Sequence, residues 1–271
     1  MERYYRRLES IVEYIHSETN NFAPEVAIIL GSGLGGLVDS IDVRYAIKYE
    51  NIPNFPTSTV VGHSGQLIFG YLAGRAIVAM QGRFHYYEGY DMSDVTLPVR
   101  VFKLLGVGKM VVTNAAGGVN TDFNIGDLML ITDHIHLMPN PLIGANLERF
   151  GVRFVDMHHC YDLSLRTLTK EVAAQSGVAL REGVYVGGTG PTYETTAEYR
   201  YFAAIGGDAC GMSTTPEVIV ARHCSIDVLG ISVITNCGLS DVINDHNDVK
   251  LQGERASITL SSLVAKVIER L

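Results

Sequence analysis

Tryptophan is absent from this 271-residue chain, cysteine occurs four times and proline eight times, and no run of basic residues is found. Each shortage excludes something. Cys160, Cys210, Cys224 and Cys237 lie far apart and form no C-x-x-C pair, so they read as reduced thiols rather than as a disulfide framework. With a net charge of −8 and no basic stretch, a nucleic-acid backbone is a poor partner. The longest apolar runs, such as residues 26–30, are far too short to cross a bilayer, so no membrane partner is expected. Residues 1–17 mix Arg and Glu with apolar residues and contain no apolar h-region, which reads as a soluble, cytoplasmic protein without a secretory signal. No internal repeat, low-complexity tract or charged linker divides the chain, so residues 1–271 are expected to form a single domain.

What is abundant is apolar side chain (47%) and glycine (28 residues), enough for a large core and many tight turns. Leu8, Ile11, Val12 and Ile15 share one face of a first helix. Strands are predicted at 26–30, 43–49, 66–71, 75–80, 109–113, 127–132, 183–187, 208–211 and 227–235. Helices are predicted at 94–105, 162–176, 195–205, 215–223 and 252–270. This alternation predicts an α/β fold: a mixed, mostly parallel central sheet flanked by helices. Polar or glycine-rich loops are expected just after strands, at 31–36, 82–90, 114–118, 187–194 and 211–213, with a polar turn at Thr235-Asn236. In open α/β sheets ligands bind outside the carboxyl ends of strands, so these segments can converge on one pocket.

The densest chemistry is in Arg83-Phe84-His85-Tyr86-Tyr87-Glu88-Gly89-Tyr90. Arg83 offers a fixed fork of donors for an oxyanion, His85 a second donor, and Tyr87 an aromatic face; the plain alternative is a surface loop whose charges pair among themselves. Gly31-Ser32-Gly33-Leu34-Gly35-Gly36 satisfies G-x-G-x-x-G, with Glu50 19 residues beyond Gly31. It reads as a dinucleotide fingerprint, as a cradle for free phosphate at a helix N-terminus, or as a tight turn. The small residues of Asn114-Ala115-Ala116-Gly117-Gly118 suit direct contact with a flat ligand, or a strand-end turn where side chains are merely crowded out. In Gly190–Glu198, Glu194 is either a ligand group or a stabiliser of the following helix start, and Ser213 is either a ligand group or an N-cap. His134 and His136 share a strand face, but no carboxylate or thiolate cluster accompanies them and no metal site is read.

Taken in order and spacing, these segments resemble the trimeric, 6-oxopurine-type purine nucleoside phosphorylases of the purine nucleoside phosphorylase/methylthioadenosine phosphorylase family. QGRFHYYEGY, VVTNAAGG and GMSTTPEVIVARH carry the resemblance, which runs from residue 24 to 236. It implies the nucleoside phosphorylase fold, with a partly barrel-like sheet. It also implies a purine-salvage enzyme: a pentosyltransferase that reversibly converts inosine, guanosine and their deoxy forms, with inorganic phosphate, to free base and (deoxy)ribose 1-phosphate. No cofactor is implied, phosphate being a co-substrate.

By the same resemblance, Ser32, His63, Arg83, His85, Ser213 and the backbone of Ala115 hold phosphate. Tyr87 and Met212 contact ribose, and His246, aligned with the family histidine that follows Asn236, reaches its 5′-hydroxyl. Asn236 and Glu194 read the base. Ala115, Ala116, Gly117, Gly211 and Thr235 line its site, and Tyr193 edges the ring where many relatives have Phe. His85, Glu194, Asn236 and His246 are the implied catalytic set. Phe154 matches an aromatic lent to a neighbour's nucleoside site, within a homotrimer. Asn236 carries both a donor and an acceptor, which suits O6 and N7 of a 6-oxopurine, whereas an aspartate there would favour adenine, as in the methylthioadenosine phosphorylases. An NAD-dependent oxidoreductase leaves the other five motifs idle, and a non-catalytic nucleoside binder has no use for the full phosphate set.

Overall fold

The computed structural model describes residues 1–31, 34–58, 64–238 and 246–271, the side chains of 246, 247 and 250 excepted. Helix α1 (Glu2–Glu18) buries Leu8, Ile11 and Ile15, the expected stripe. Strand β1 (Val26–Leu30) is buried at all five positions. Its alternate residues serve two cores: Ala27 and Ile29 pack with α1 on one face, and Val26, Ile28 and Leu30 join the core on the other. A strand covered on both faces has no use for polar alternation, which is why it reads as a continuous apolar run.

The chain continues through β2 (Asp42–Lys48), β3 (Gln66–Leu72) and β4 (Arg75–Gln81), then the short helix α2 (Met92–Val95) and α3 (Leu97–Leu104). The single helix expected at 94–105 is thus divided at Thr96, whose hydroxyl donates to the carbonyl of Met92 at 2.7 Å and whose successor turn carries Pro98. Next come β5 (Lys109–Gly118), β6 (Leu128–His136), α4 (Leu163–Gln175), β7 (Leu180–Gly187), α5 (Thr196–Ala204), β8 (Ala209–Gly211), α6 (Thr215–His223), β9 (Asp227–Cys237) and α7 (His246–Glu269).

The sheet runs β2-β3-β4-β1-β5-β8-β7-β6-β9, and β9 pairs back onto β5. The last five strands therefore close a ring, while β2, β3, β4 and β1 extend from it as an open wing. Five of the nine pairings are parallel. The expected mixed, mostly parallel and partly barrel-like sheet is what forms. Helices α1, α3 and α6 contribute to one core and α4 and α7 to the other.

Two expected loops are strand. Residues 114–118 continue β5, and Thr235-Asn236 continue β9, because the two segments pair with each other: Ala116 stands opposite Ile234 and Gly117 opposite Asn236, with a register shift between them. Their small and polar composition, read as strand-ending, instead serves a ladder that opens onto a cavity. The glycine segment at 31–36 leads into a 3-10 turn, Gly35–Ser40, so no α-helix N-terminus follows it. Glu50 sits in the exposed turn after β2, beside Lys48 at 3.6 Å, and β2 is antiparallel to β3. Among the described residues, no dinucleotide-binding βαβ unit follows β1.

Candidate active site

Arg83, just beyond β4, is held from three sides. Its Nε lies 3.0 Å from Oε1 of Glu217, and its Nη1 donates to the carbonyl of Thr113 at 2.8 Å and to Oγ of Ser213 at 3.1 Å. The side chains of Arg83 and Glu217 are only 2% and 4% exposed. Among the described residues, Nη2 of Arg83 and Oε2 of Glu217 have no hydrogen-bond partner. Arg83 lines a cavity, and a buried, permanently charged side chain with an unmatched N–H beside a cavity is suited to an anion. Close by, Oε1 of Glu88 accepts the backbone N–H of His85 at 2.8 Å and lies 3.1 Å from its Nδ1. The His85 ring stacks on Tyr87 with centroids 4.7 Å apart and planes inclined by 15°. Burial, followed by the nearby Glu88, pushes the Tyr87 phenol up to about 12, so it remains protonated in ordinary buffers.

Ser213 is aimed by a strained turn. Thr214 has φ 74 and ψ −56, and the N–H of Thr215 donates to the carbonyl of Ser213 at 2.8 Å. This is a γ-turn of the rare positive-φ form, costing about 1–3 kcal/mol at a β-branched residue. Fully buried Thr214 is pinned by Nδ2 of Asn114 at 2.8 Å, and its hydroxyl lies 3.1 Å from that of Ser213. The turn reverses the chain between β8 and α6, and it is in this reversal that Ser213 meets Arg83. Ser213 is not an N-cap: that position belongs to Thr214, whose side chain caps nothing.

The ladder ends of β5 and β9 supply the other group. Oγ1 of Thr235 has two acceptors within reach of its one proton, Oδ1 of Asn236 at 3.2 Å and the carbonyl of Ala116 at 3.3 Å, and Nδ2 of Asn236 donates to the hydroxyl of Tyr199 at 3.3 Å. Glu194 is half-buried on the loop before α5. It is not spent on the helix start, where Thr195 and Glu198 form the capping box. Burial raises the Glu194 carboxyl above its ordinary 4.5, an effect that hydrogen bonding from Tyr199 partly opposes. Gly117 is required here, because a Cβ would stand 2.8 Å from the Tyr199 hydroxyl and 3.1 Å from Nδ2 of Asn236.

Arg83, His85, Tyr87, Ala115, Ala116, Gly117, Tyr193, Glu194, Gly211, Met212, Ser213, Thr235 and Asn236 all line one cavity. Ser32 and His63 lie outside the described residues, as does the side chain of His246, whose backbone begins α7. Phe154 is not part of this cavity; it is 89% exposed. His134 and His136 are engaged with the hydroxyls of Tyr161 at 3.1 Å and Thr215 at 2.7 Å. Sequence reasoning missed Tyr199 and Cys210, which line the cavity, and Glu217, which holds Arg83. Glu217 had a signal: a lone carboxylate in the apolar run that opens α6, all buried from Thr215 to Ala221, needs a buried partner. Tyr199 had none, being one aromatic on an amphipathic helix.

The sequence model of the phosphorylase superfamily matches residues 25–269. Purine nucleoside phosphorylase 1 of Geobacillus stearothermophilus is 53% identical over 252 residues, which are 92% of this chain and 92% of that one. Purine nucleoside phosphorylase of Rattus norvegicus is 50% identical, across 98% of this chain and 95% of its own. The crystal structure of Schistosoma mansoni purine nucleoside phosphorylase in complex with inosine is similar with a TM-score of 0.94 and 44% identity, covering 98% of this chain and 96% of that one.

Proposed function

This chain belongs to the purine nucleoside phosphorylase family of the phosphorylase superfamily, and we propose how its cavity performs phosphorolysis of purine nucleosides and why it prefers 6-oxopurines. The observation that carries the reading is that an anion grip (Arg83, Ser213, His85) and an amide–carboxylate pair (Asn236, Glu194) line the same cavity. Phosphate is held by Arg83, His85, Ser213 and the backbone N–H of Ala115, with Ser32 and His63 added by the family resemblance. Tyr87 and Met212 flank the ribose, and His246 serves its 5′-hydroxyl.

A phosphate oxygen bonds to C1′ as the C1′–N9 bond breaks, and the electron pair of that bond leaves with the purine. The transition state carries positive charge on the ribose, opposite the bound anion, and negative charge spreading over the base. Asn236 meets that charge through its NH₂ at O6 and its carbonyl at N7, which takes up, by way of solvent, the proton that hydrogenphosphate gives up on becoming the sugar phosphate. Glu194, ionised, accepts from N1–H, and from N2–H₂ in guanine. Ala116, Gly117, Gly211 and Thr235 form the walls of the base site, and Tyr193 its edge. The chemistry calls for no cofactor, since phosphate is nucleophile and counter-charge at once. On this reading kcat/KM for inosine and guanosine exceeds that for adenosine by at least about a hundredfold, because adenine leaves buried polar groups mismatched. Comparable values for all three nucleosides would refute the base assignment.

We also propose a homotrimer working in the cytoplasm. All four cysteines are free thiols, as a reducing compartment requires, and among the described residues no helix is long and apolar enough to cross a membrane. Phe154 (89% exposed), Val152 (67%) and Ile143 (81%) are exposed apolar side chains of the segment between β6 and α4, which suits contact with a neighbouring subunit whose ribose site Phe154 would cover. Phe154→Ala is expected to raise the nucleoside KM by about three- to tenfold while phosphate KM and the trimer persist. Sedimentation and steady-state kinetics at one concentration check this; a fully active monomer contradicts it.

A further inference from the structure

We propose that Asn146 is a positioning residue for the nucleoside site of a neighbouring subunit: gripped by the buried pair Arg100 and His223, it anchors the segment that presents Phe154. This rests on the reading of Phe154 as a lid over a neighbour's ribose.

Residues 137–162 join β6 to α4 without helix or strand. Connections that long inside a compact domain are uncommon and are usually functional. Two anchors hold the middle of this one. Phe150 is the apolar anchor: buried, it stacks on Tyr5 of α1 with centroids 6.2 Å apart, and the Arg100 guanidinium of α3 lies 4.9 Å from its ring centre. Asn146 is the polar anchor. Its Oδ1 lies 3.1 Å from Nε2 of His223, and its Nδ2 donates to the carbonyl of Gly151 at 3.1 Å. Phe154 follows Gly151 by three residues.

The protons of this relay have one arrangement. Arg100 and His223 are 4% and 2% exposed, and among the described residues no hydrogen bond joins Arg100 to a carboxylate. Its Nη1 instead meets Nδ1 of His223 at 3.3 Å and Sγ of Cys224 at 3.6 Å, one N–H for each. A guanidinium only donates, so Nδ1 is the bare nitrogen of a neutral imidazole and Nε2 carries the hydrogen. That hydrogen needs an acceptor, which turns Oδ1 of Asn146 toward His223 and leaves the NH₂ for Gly151. A reversed amide would set donor against donor at His223 and carbonyl against carbonyl at Gly151. Burial, and then the Arg100 charge, holds the imidazole below its ordinary 6.5 and so favours the neutral form. Gly151 completes the seat. A Cβ there would run into the carbonyl oxygen of His223, so a larger residue would push the segment off the end of α6.

The test pairs hydrogen exchange with steady-state kinetics in Asn146→Asp, Asn146→Ala and Phe154→Ala. Aspartate has the shape of asparagine and still accepts from His223, but its carboxylate has no proton for Gly151. In both Asn146 variants the peptide spanning 142–156 should exchange about tenfold faster, with peptides from β1 unchanged. Their nucleoside KM should rise about three- to tenfold, as in Phe154→Ala, while phosphate KM and the sedimentation profile stay the same. Combining Asn146→Asp with Phe154→Ala should be no worse than Phe154→Ala alone, because Asn146 acts through that ring. Wild-type exchange in both Asn146 variants, or KM effects that multiply in the double variant, overturns the proposal. If Phe154→Ala leaves the nucleoside KM unchanged, the lid reading fails and takes the link to the nucleoside site with it. A raised KM in Phe154→Ala beside unchanged exchange in the Asn146 variants refutes the anchor alone.

Discussion

Arg83→Ala is expected to lose phosphate affinity and stability together. The guanidinium and its partner Glu217 are both almost fully buried. Removing one member of such a pair leaves an uncompensated charge in the interior, which costs about 3–5 kcal/mol. The urea midpoint should therefore fall sharply. A charge-assisted contact to the anion is lost as well, about 1.5–3 kcal/mol, so the phosphate KM of the folded fraction should rise tenfold or more while the nucleoside KM changes little. Adding Glu217→Gln separates the two effects. The double variant should recover most of the stability, since the buried charge is gone, and none of the phosphate affinity. A double variant with wild-type phosphate KM would show that Arg83 does not face the anion.

Asn236→Asp should reduce kcat/KM for inosine by about a hundredfold and raise the adenosine-to-inosine ratio. The donor to O6 disappears, and an acceptor for the N6 amino group replaces it. The exchange is not a clean inversion, because Nδ2 of Asn236 currently donates to the Tyr199 hydroxyl at 3.3 Å, and a carboxylate oxygen in its place can only accept. The new carboxylate and that of Glu194 would then line the same cavity. Like charges so placed favour protonation of one of them. Adenosine activity should accordingly remain below wild-type inosine activity and depend on pH between the two carboxyl midpoints. Kinetics on both nucleosides across pH decide this, and an unchanged ratio would mean that Asn236 does not face the base.

Burial sets a pH limit in the native protein. The Glu194 carboxyl lies above its ordinary value, so the carboxylate proposed to accept N1–H is lost as pH falls through a midpoint higher than 4.5. Base recognition should fail on the acid side before exposed carboxylates titrate.

The strands and helices were largely legible because their apolar periods follow which faces are covered, as in β1 and α1. The candidate site was legible wherever polar residues stand at or beyond the ends of those apolar runs: Arg83, Ser213 and Asn236 beside strands, and Glu194 on the loop before α5. What escaped was geometry created by pairing between distant segments. The small residues at 114–118 read as a loop, yet they are strand because β9 lies beside them in parallel. Glu217 and Tyr199 bond to residues 134 and 37 positions away in sequence. Neither period nor propensity encodes such distances. The γ-turn at Thr214 was likewise hidden, since a β-branched residue at positive φ runs against local preference and is held only by its buried contacts with Asn114 and Ser213.

The central claim is that phosphate is the nucleophile at C1′. Incubation with inosine, with and without inorganic phosphate, followed by chromatography of the base and phosphorus NMR of the sugar, tests it directly. One ribose 1-phosphate should form for each hypoxanthine released, and release should cease when phosphate is removed. Hypoxanthine appearing together with free ribose in the absence of phosphate would contradict the account.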